Sequence, residues 1–257
     1  MSSFISLFLL SAREQIRNRW IYLSLFFGLL IVFFVLFLSR LALANAGRAV
    51  ITYGVALIHL VLGVSTAVSC AALLHKDSER RFSFLVLARP VSAIQYVAGR
   101  FAGTVAVQMF NWLLMSLALS LATLMVGGVP GGQFWLALFF VLLQVGVLGA
   151  LGLLFSSVVM PAVAVAAAGA VYVAGASVSD LKFAAVKLGP VTGGLLNGIA
   201  AVVPAFERMS YLESAVYGTP VVPAVVFAAF GTAVAWIVAC TLGAGWVFER
   251  RFRAGGA

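Results

Sequence analysis

Residues 25–38 read "LFFGLLIVFFVLFL". One glycine interrupts fourteen positions that hold no polar side chain. A half-buried strand alternates apolar and polar residues, and a membrane barrel strand does so over about ten residues. This stretch alternates nowhere. The run around it, Ile21 to Leu38, covers 18 residues, close to the roughly 20 that cross a bilayer core as a helix. In hydrocarbon the peptide groups must hydrogen-bond inside their own segment, so the stretch predicts a membrane helix.

The whole chain has the same character. Its 257 residues are 64% hydrophobic and 9% charged, with a mean hydropathy of +1.16. Ordinary soluble domains carry about 25% charged residues, so lipid must solvate most of this surface. Six runs are long enough to span, approximately 20–39, 50–74, 101–127, 134–155, 158–179 and 221–247. They predict an all-α membrane protein with a single transmembrane domain over 1–257. No internal repeat or linker divides it. Arg13, Arg17 and Arg19 ahead of an apolar run, with Ala42-Leu43-Ala44 after it, imitate a cleaved leader. The run exceeds the roughly 7–15 residues of a leader's apolar region, so it reads as a retained span.

The formal charge is +9. Basic residues flank apolar runs, which points to anionic headgroups and topology rather than nucleic acid. With the N-terminus in the cytoplasm, eleven Lys and Arg fall on the cytoplasmic side and five opposite. That imbalance predicts both termini inside. Residues 4–20 repeat Phe8, Ala12, Ile16 and Trp20 on one helical face and Ser11, Glu14, Gln15 and Asn18 on another. They predict an interfacial helix feeding the first span, with Arg13, Glu14, Arg17, Arg19 and Trp20 at the headgroups.

Gly146, Gly149 and Gly152 recur at three-residue spacing, and the fifth run is mostly Ala, Val and Gly. Small faces let helices approach closely in lipid. Internal packing is one reading. The other is a subunit interface or a path through the fifth helix, with Gly169, Tyr172 and Gly175 on it. Residues 180–220 are broken by Gly189-Pro190, Gly193-Gly194 and Pro204. They predict short helices on or dipping into the outer surface.

No Asp, Glu, Lys or Arg falls inside a predicted span, unlike most ion-coupled transporters. No GxxxxGK[ST] loop is present, so this chain does not cradle a nucleotide by that motif. Cys70 and Cys240 lie in apolar runs and read as small hydrophobes. Met109, Met115, Met125, Met160 and Cys70 have no spacing that defines a soft-metal site. His59 and His75 are the only histidines, and no nucleophile motif surrounds either. The chain reads as having no catalytic residues and no metal or cofactor of its own. His59 suits a neutral interhelical hydrogen bond, with ligand contact as the alternative. Gln108, Asn111 and Gln144 also read as interhelical hydrogen bonders.

The charged island is "KDSERRFSFLVLARPVSA", residues 76–93. It predicts a short cytoplasmic helix starting near Asp77 or Ser78, with Asp77 and Glu79 in a first turn favoured by the dipole. Arg80 and Arg81 face water or headgroups, and Phe82 and Leu85 lie on an apolar face. Pro90 disfavours helix at Arg89 and ends the element. Ser92 then caps the next helix. On its own the island is a topology anchor or a rigid lever between two spans.

The segment "ERRFSFLVLARPVSAIQYVAGRFAG", 79–103, resembles the loop after the second span of ABC-2-type permeases, the membrane subunits of ABC transporters. Within them it resembles the multicopper-enzyme and nitrous oxide reductase maturation branch. Glu79, Leu85, Leu87, Ala88, Arg89, Pro90, Val91, Ser92, Tyr96, Gly99 and Arg100 carry the match. Phe82-Ser83 and Ala93 depart from the pattern. "SAREQIRNRWIYLSLFFGLLI" resembles the family's opening. "VVPAFERMSYLESAVYGTPV" resembles its outer segment through Pro204, Phe206, Val216, Tyr217 and Gly218. The resemblance implies two copies of the chain beside two ATPase subunits that hold ATP and Mg. It makes 77–88 a coupling helix seated on the ATPase, with Asp77, Glu79, Arg80, Arg81, Phe82, Leu85, Arg89 and Pro90 as the coupling region. It leaves room for a periplasmic partner and hints at copper or sulfur cargo. A membrane scaffold that recruits soluble partners and moves nothing is the alternative.

Overall fold

A computed structural model of the chain describes residues 3–17, 46–79, 92–187 and 202–254, with 22, 26, 28–30, 33, 35, 37, 192–194, 196 and 198. No strand occurs among the described residues. The helices are α1 (Ser3–Ile16), α2 (Ala46–Glu79), α3 (Ala93–Met125), α4 (Gly132–Ser156), α5 (Pro161–Ala176), α6 (Val178–Lys187), α7 (Leu212–Tyr217) and α8 (Pro223–Ala254). A 3-10 turn, Phe206–Met209, precedes α7.

Four helices, α2, α3, α4 and α8, are long and apolar enough to cross a membrane; a bent pair, α5 with α6, makes a fifth if counted as one span. This is the architecture of a multi-pass membrane protein. Six spans were expected. The described positions of the expected first span, 20–39, are helical, and Val35 is buried in one cluster with Met115 and Leu119. The rest of that span lies outside the described residues.

The expected fifth span, 158–179, is not one straight helix. Pro161 opens α5 at a position where its missing N–H costs nothing. The helix is 16 residues long, about 24 Å at the standard rise and short of the roughly 30 Å hydrocarbon core. It then bends by 68° into α6. The bend falls where apolar Ala and Val give way to Ser177, Ser179, Asp180 and Lys182, which have no reason to continue through lipid. The outer segment is built of short pieces, as expected: α6, the 3-10 turn and α7.

The other helices overrun their apolar windows because nothing breaks them. The helix expected to start at Asp77 or Ser78 does not start there. α2 runs on unbroken through Glu79, so Asp77 and Glu79 occupy its last turns. His75 to Glu79 hold no Gly or Pro that would end a helix. Ser92 caps α3 as expected, its hydroxyl accepting the Gln95 N–H at 3.2 Å. α3 stops where Gly127 takes a left-handed φ of 80°, and the Gly128 N–H returns to the Thr123 carbonyl at 2.9 Å.

α4 is the central helix, and most of it is buried; α8 is peripheral and mostly not. The glycine face of α4 turns inward. At Gly152 an added Cβ would sit 3.3 Å from the Ala67 carbonyl oxygen of α2, which is helix packing at backbone distance. The end where α2 stops and α3 starts is called proximal below. There the Arg251 guanidinium donates to the Val158 carbonyl at 2.6 Å, and the Tyr96 and Phe248 rings stack at 5.9 Å. At the distal end Arg48 lies over the Tyr217 ring at 5.5 Å.

Two glycines separate packing from open space. Gly152→Leu must push α4 off α2 and is expected to cost about 1–3 kcal/mol. Gly169→Ala meets nothing within 4 Å and, inside a helix, is expected to raise stability by up to about 1 kcal/mol. Thermal unfolding midpoints in detergent check both.

Candidate functional site

Two places gather the chemistry. The first is the proximal junction between α1 and α3. Arg100, Gly103 and Thr104 share one face of α3 through i, i+3 and i+4 spacing. Gly103 lets α1 come close: a Cβ there would lie 2.5 Å from the Phe8 carbonyl oxygen. Polar groups meet across that contact. The Ser11 hydroxyl donates to the Arg100 carbonyl at 2.7 Å, and Gln15 Nε2 donates to Thr104 Oγ1 at 3.4 Å. Arg100 Nη1 pairs with Glu14 Oε2 at 2.8 Å, with side chains 3% and 36% exposed.

This corrects the expected sidedness of the N-terminal helix. Ser11, Glu14 and Gln15 turn toward protein, and Ile5, Leu9, Leu10 and Ile16 turn outward. The reason is the solvent. In lipid an apolar side chain gains little from burial in protein, whereas a polar one gains a partner. Arg13 is exposed on α1 and Arg17 lies in the turn after it. Arg19 and Trp20 lie outside the described residues.

Arg100 was counted among the cytoplasmic cations, in the helix that Ser92 starts ahead of the third span; it lies in that helix, α3, and is buried there, which was not foreseen. The signal that could have found it is the Arg100, Gly103, Thr104 spacing, a small polar face on an otherwise apolar helix. Of the expected coupling region, Asp77 and Glu79 end α2. Arg80, Arg81, Phe82, Leu85, Arg89 and Pro90 lie outside the described residues.

The second place is a cleft of about 620 Å³ bounded by α2, α4, α5 and residues Met209–Leu212. Of α5 only Ala164, Ala168 and Gly175 are buried. Gly169 and Tyr172 line the cleft, whereas Gly175 packs under Pro204 and Phe206. The expected site on the fifth helix therefore divides, with Gly175 serving internal packing. His59 lines the cleft from α2, its Nδ1 3.5 Å from the Tyr172 hydroxyl and its ring edge-on to Tyr172. Gln144 Nε2 donates to the Phe206 carbonyl at 3.4 Å, tying α4 to the outer segment.

Tyr211 was missed in the sequence. It is 6% exposed, lines the cleft and packs its ring 4.5 Å from that of Phe140. Its hydroxyl finds no hydrogen-bond partner among the described residues. Burial raises its phenol pKa above the usual value, so the group is neutral. Among the described residues no Asp, Glu, Lys or Arg lines the cleft. Among the described residues no three His, Cys, Asp or Glu gather to hold a metal.

A third, smaller contact organises the distal surface. Glu207 accepts the Ser179 backbone N–H at 3.1 Å and the Ser179 hydroxyl at 2.6 Å. It thereby supplies an anionic acceptor at the start of α6. These bonds, with Arg208 and Lys182 nearby, hold the Glu207 carboxyl below its usual pKa.

No protein-family model matches the chain, and no curated protein matches it.

The ion pair predicts an order of damage. Glu14→Gln takes the paired carboxylate from a buried guanidinium, while Arg100→Met leaves a carboxylate that is about a third exposed. Glu14→Gln is expected to be the worse, by about 1–3 kcal/mol and below the cost for a fully buried pair. Thermal midpoints of the two variants rank them. At Glu207 the folded pKa is depressed, so its contribution is present above the ordinary carboxylate range and lost as pH falls through the lowered value. The protection of the Ser179 amide against exchange, relative to its intrinsic rate at each pH, should fall over that acid window, and Glu207→Gln should remove the step.

Proposed function

We propose that this chain is the membrane subunit of an ABC transporter of the ABC-2 type. It moves a substrate, or transmits force, across the bacterial inner membrane with ATP hydrolysed by separate subunits. Two copies of the chain sit beside two ATPases, both termini are cytoplasmic, and the proximal end faces the ATPases. The chain itself carries no P-loop, so the nucleotide and its Mg belong to the partner.

The observation that carries this reading is the fastening of the proximal junction. α2 is 34 residues long, about 51 Å, and exceeds the hydrocarbon core by several turns. Its last turns hold Lys76, Asp77 and Glu79. α3 starts cleanly at the Ser92 cap, and two turns later Arg100 and Thr104 grip α1. Residues 80–91 are therefore hung between two long helices, one of which is clamped to a third. A force applied to that segment has three helices to act on. A simple topology anchor needs the positive charges and none of this fastening.

The coupling roles belong to Arg80, Arg81 and Arg89, which meet acidic or backbone acceptors on the ATPase, with Pro90 setting where the segment turns into α3. The test is to look for a P-loop ATPase encoded beside this chain and to reconstitute the two together. Arg80→Glu with Arg81→Glu should leave the protein in the membrane and weaken ATPase binding about tenfold or more. Transport, or ATPase stimulation, should fall in step. Full coupling in that variant would remove the assignment. An ATPase that never binds the chain would favour the scaffold.

A further inference from the structure

We propose that α6 and the 3-10 turn beside it form a docking surface for the bilayer, on which Phe183 and Val186 enter the acyl chains while Lys182 and Arg208 hold the phosphate of an anionic phospholipid. The inference needs only that the apolar helices span a membrane and does not rest on the permease reading.

Depth comes first. α5 carries the chain through most of the hydrocarbon, and only Ser177 separates its end from the start of α6. The distal end of α5 therefore delivers α6 to the headgroup layer. The bend of 68° turns α6 away from the direction of α5 and toward the plane of the bilayer. A short amphipathic helix at that depth lies in the interface, with its apolar side against the acyl chains.

The faces of α6 are sorted for that placement. Val178 and Ala185 are buried against protein, where Gly193 packs on the Ala185 carbonyl. Phe183 and Val186, three residues apart on the other side, are 64% and 86% exposed. On a helical wheel Lys182 and Lys187 flank that pair, each about 70° from its centre. Lysines in those positions reach sideways and upward to phosphates while their stems stay on apolar surface. Lys187 already lies along the stripe, its Nζ 4.2 Å from the centre of the Phe183 ring. An apolar pair between two lysines fits a lipid surface and not open water.

The charges select the headgroup. Val178, Ser179 and Lys182 of α6 meet Ala205, Glu207 and Arg208 around a cavity of about 270 Å³. Both carboxylate oxygens of Glu207 are engaged by Ser179. Lys182 and Arg208 are exposed at the same cavity. The two cations outnumber the one carboxylate, which suits a phosphodiester of single negative charge. With Lys187 and Asp180 included, the surface remains cationic. A headgroup with its own ammonium, as in phosphatidylcholine, brings a positive charge to this place and is disfavoured there.

The test places one fluorophore on the surface. Full-length chain with Val186→Cys is labelled with bimane, since Cys70 and Cys240 are buried, and reconstituted in phosphatidylcholine vesicles. A nitroxide on the lipid acyl chain should quench the label strongly, and aqueous iodide should not. Strong iodide quenching with little from lipid would put the face in water and overturn the proposal. Protection from both quenchers would mean that a second copy of the chain covers the face, and would overturn it equally. Headgroup choice is then read by comparing nitroxide-chain phosphatidylglycerol with nitroxide-chain phosphatidylcholine at equal fractions. Phosphatidylglycerol should act as though enriched about fivefold around the label. Lys182→Gln with Arg208→Gln should bring the two lipids within about twofold, whereas Arg250→Gln, at the other end of the molecule, should leave the enrichment in place. Equal quenching by the two lipids around the unsubstituted surface would overturn the headgroup site. Helicity and elution volume report folding. If the double variant fails to fold, 1 M NaCl on the original surface decides the question, because screening should abolish the enrichment while acyl-chain quenching persists.

Discussion

A peptide group in hydrocarbon has no water to fall back on, and the architecture follows from that constraint. It makes the apolar runs helical and lets them run past their apolar windows until a glycine, a proline or a polar cluster stops them. It also removes the usual premium on burying apolar side chains, since lipid is as apolar as a leucine. What then holds helix to helix is closeness of approach and the few polar atoms that need partners. Gly103 against Phe8 and Gly152 against Ala67 provide the first. Ser11 on Arg100, Gln108 on Ser65, and the Trp112 indole on the Leu138 carbonyl at 2.8 Å provide the second.

The same constraint explains what could be read from sequence. Helix existence was legible, because an uninterrupted apolar run at this length has one solution in lipid. The Ser92 cap was legible because Pro90 and Ser92 have local, sequence-written effects. The short pieces at 178–217 were legible from Gly and Pro placement. Sidedness was not. Amphipathic reasoning assumes water outside, so Ser11, Glu14 and Gln15 were read as the wet face of an interfacial helix. With lipid outside, the polar face is the one that seeks protein. The burial of Arg100 escaped for a related reason: its carboxylate partner, Glu14, is 86 positions away in the chain.

The bend between α5 and α6 could not be read from hydropathy either. Ala and Val continue to Val178, long enough to look like a span. What ends α5 early is the polarity of Ser177 to Lys182 together with the docking of Ser179 on Glu207. The latter is a contact 28 positions long in sequence. Beyond that bend, Met209–Leu212 cover the distal end of the cleft.

One helix belongs to every part described. α2 ends at the proximal side in the residues that lead to 80–91, lines the cleft through its middle, and at its distal side places Arg48 over Tyr217 of α7. It has no glycine or proline from Val64 to Glu79 at which to bend. Its proximal half therefore moves as a rod, and Val64 and Ala67 in the cleft wall move with it. α3 shares the proximal junction but contributes no residue to the cleft. A push on the junction that shifts α2 relative to α4 changes the cleft's width, while the same push on α3 is carried by the Arg100–Glu14 pair into α1. The two gathered sites thus hang on different helices, and α2 is the one that joins the proximal end to the cleft.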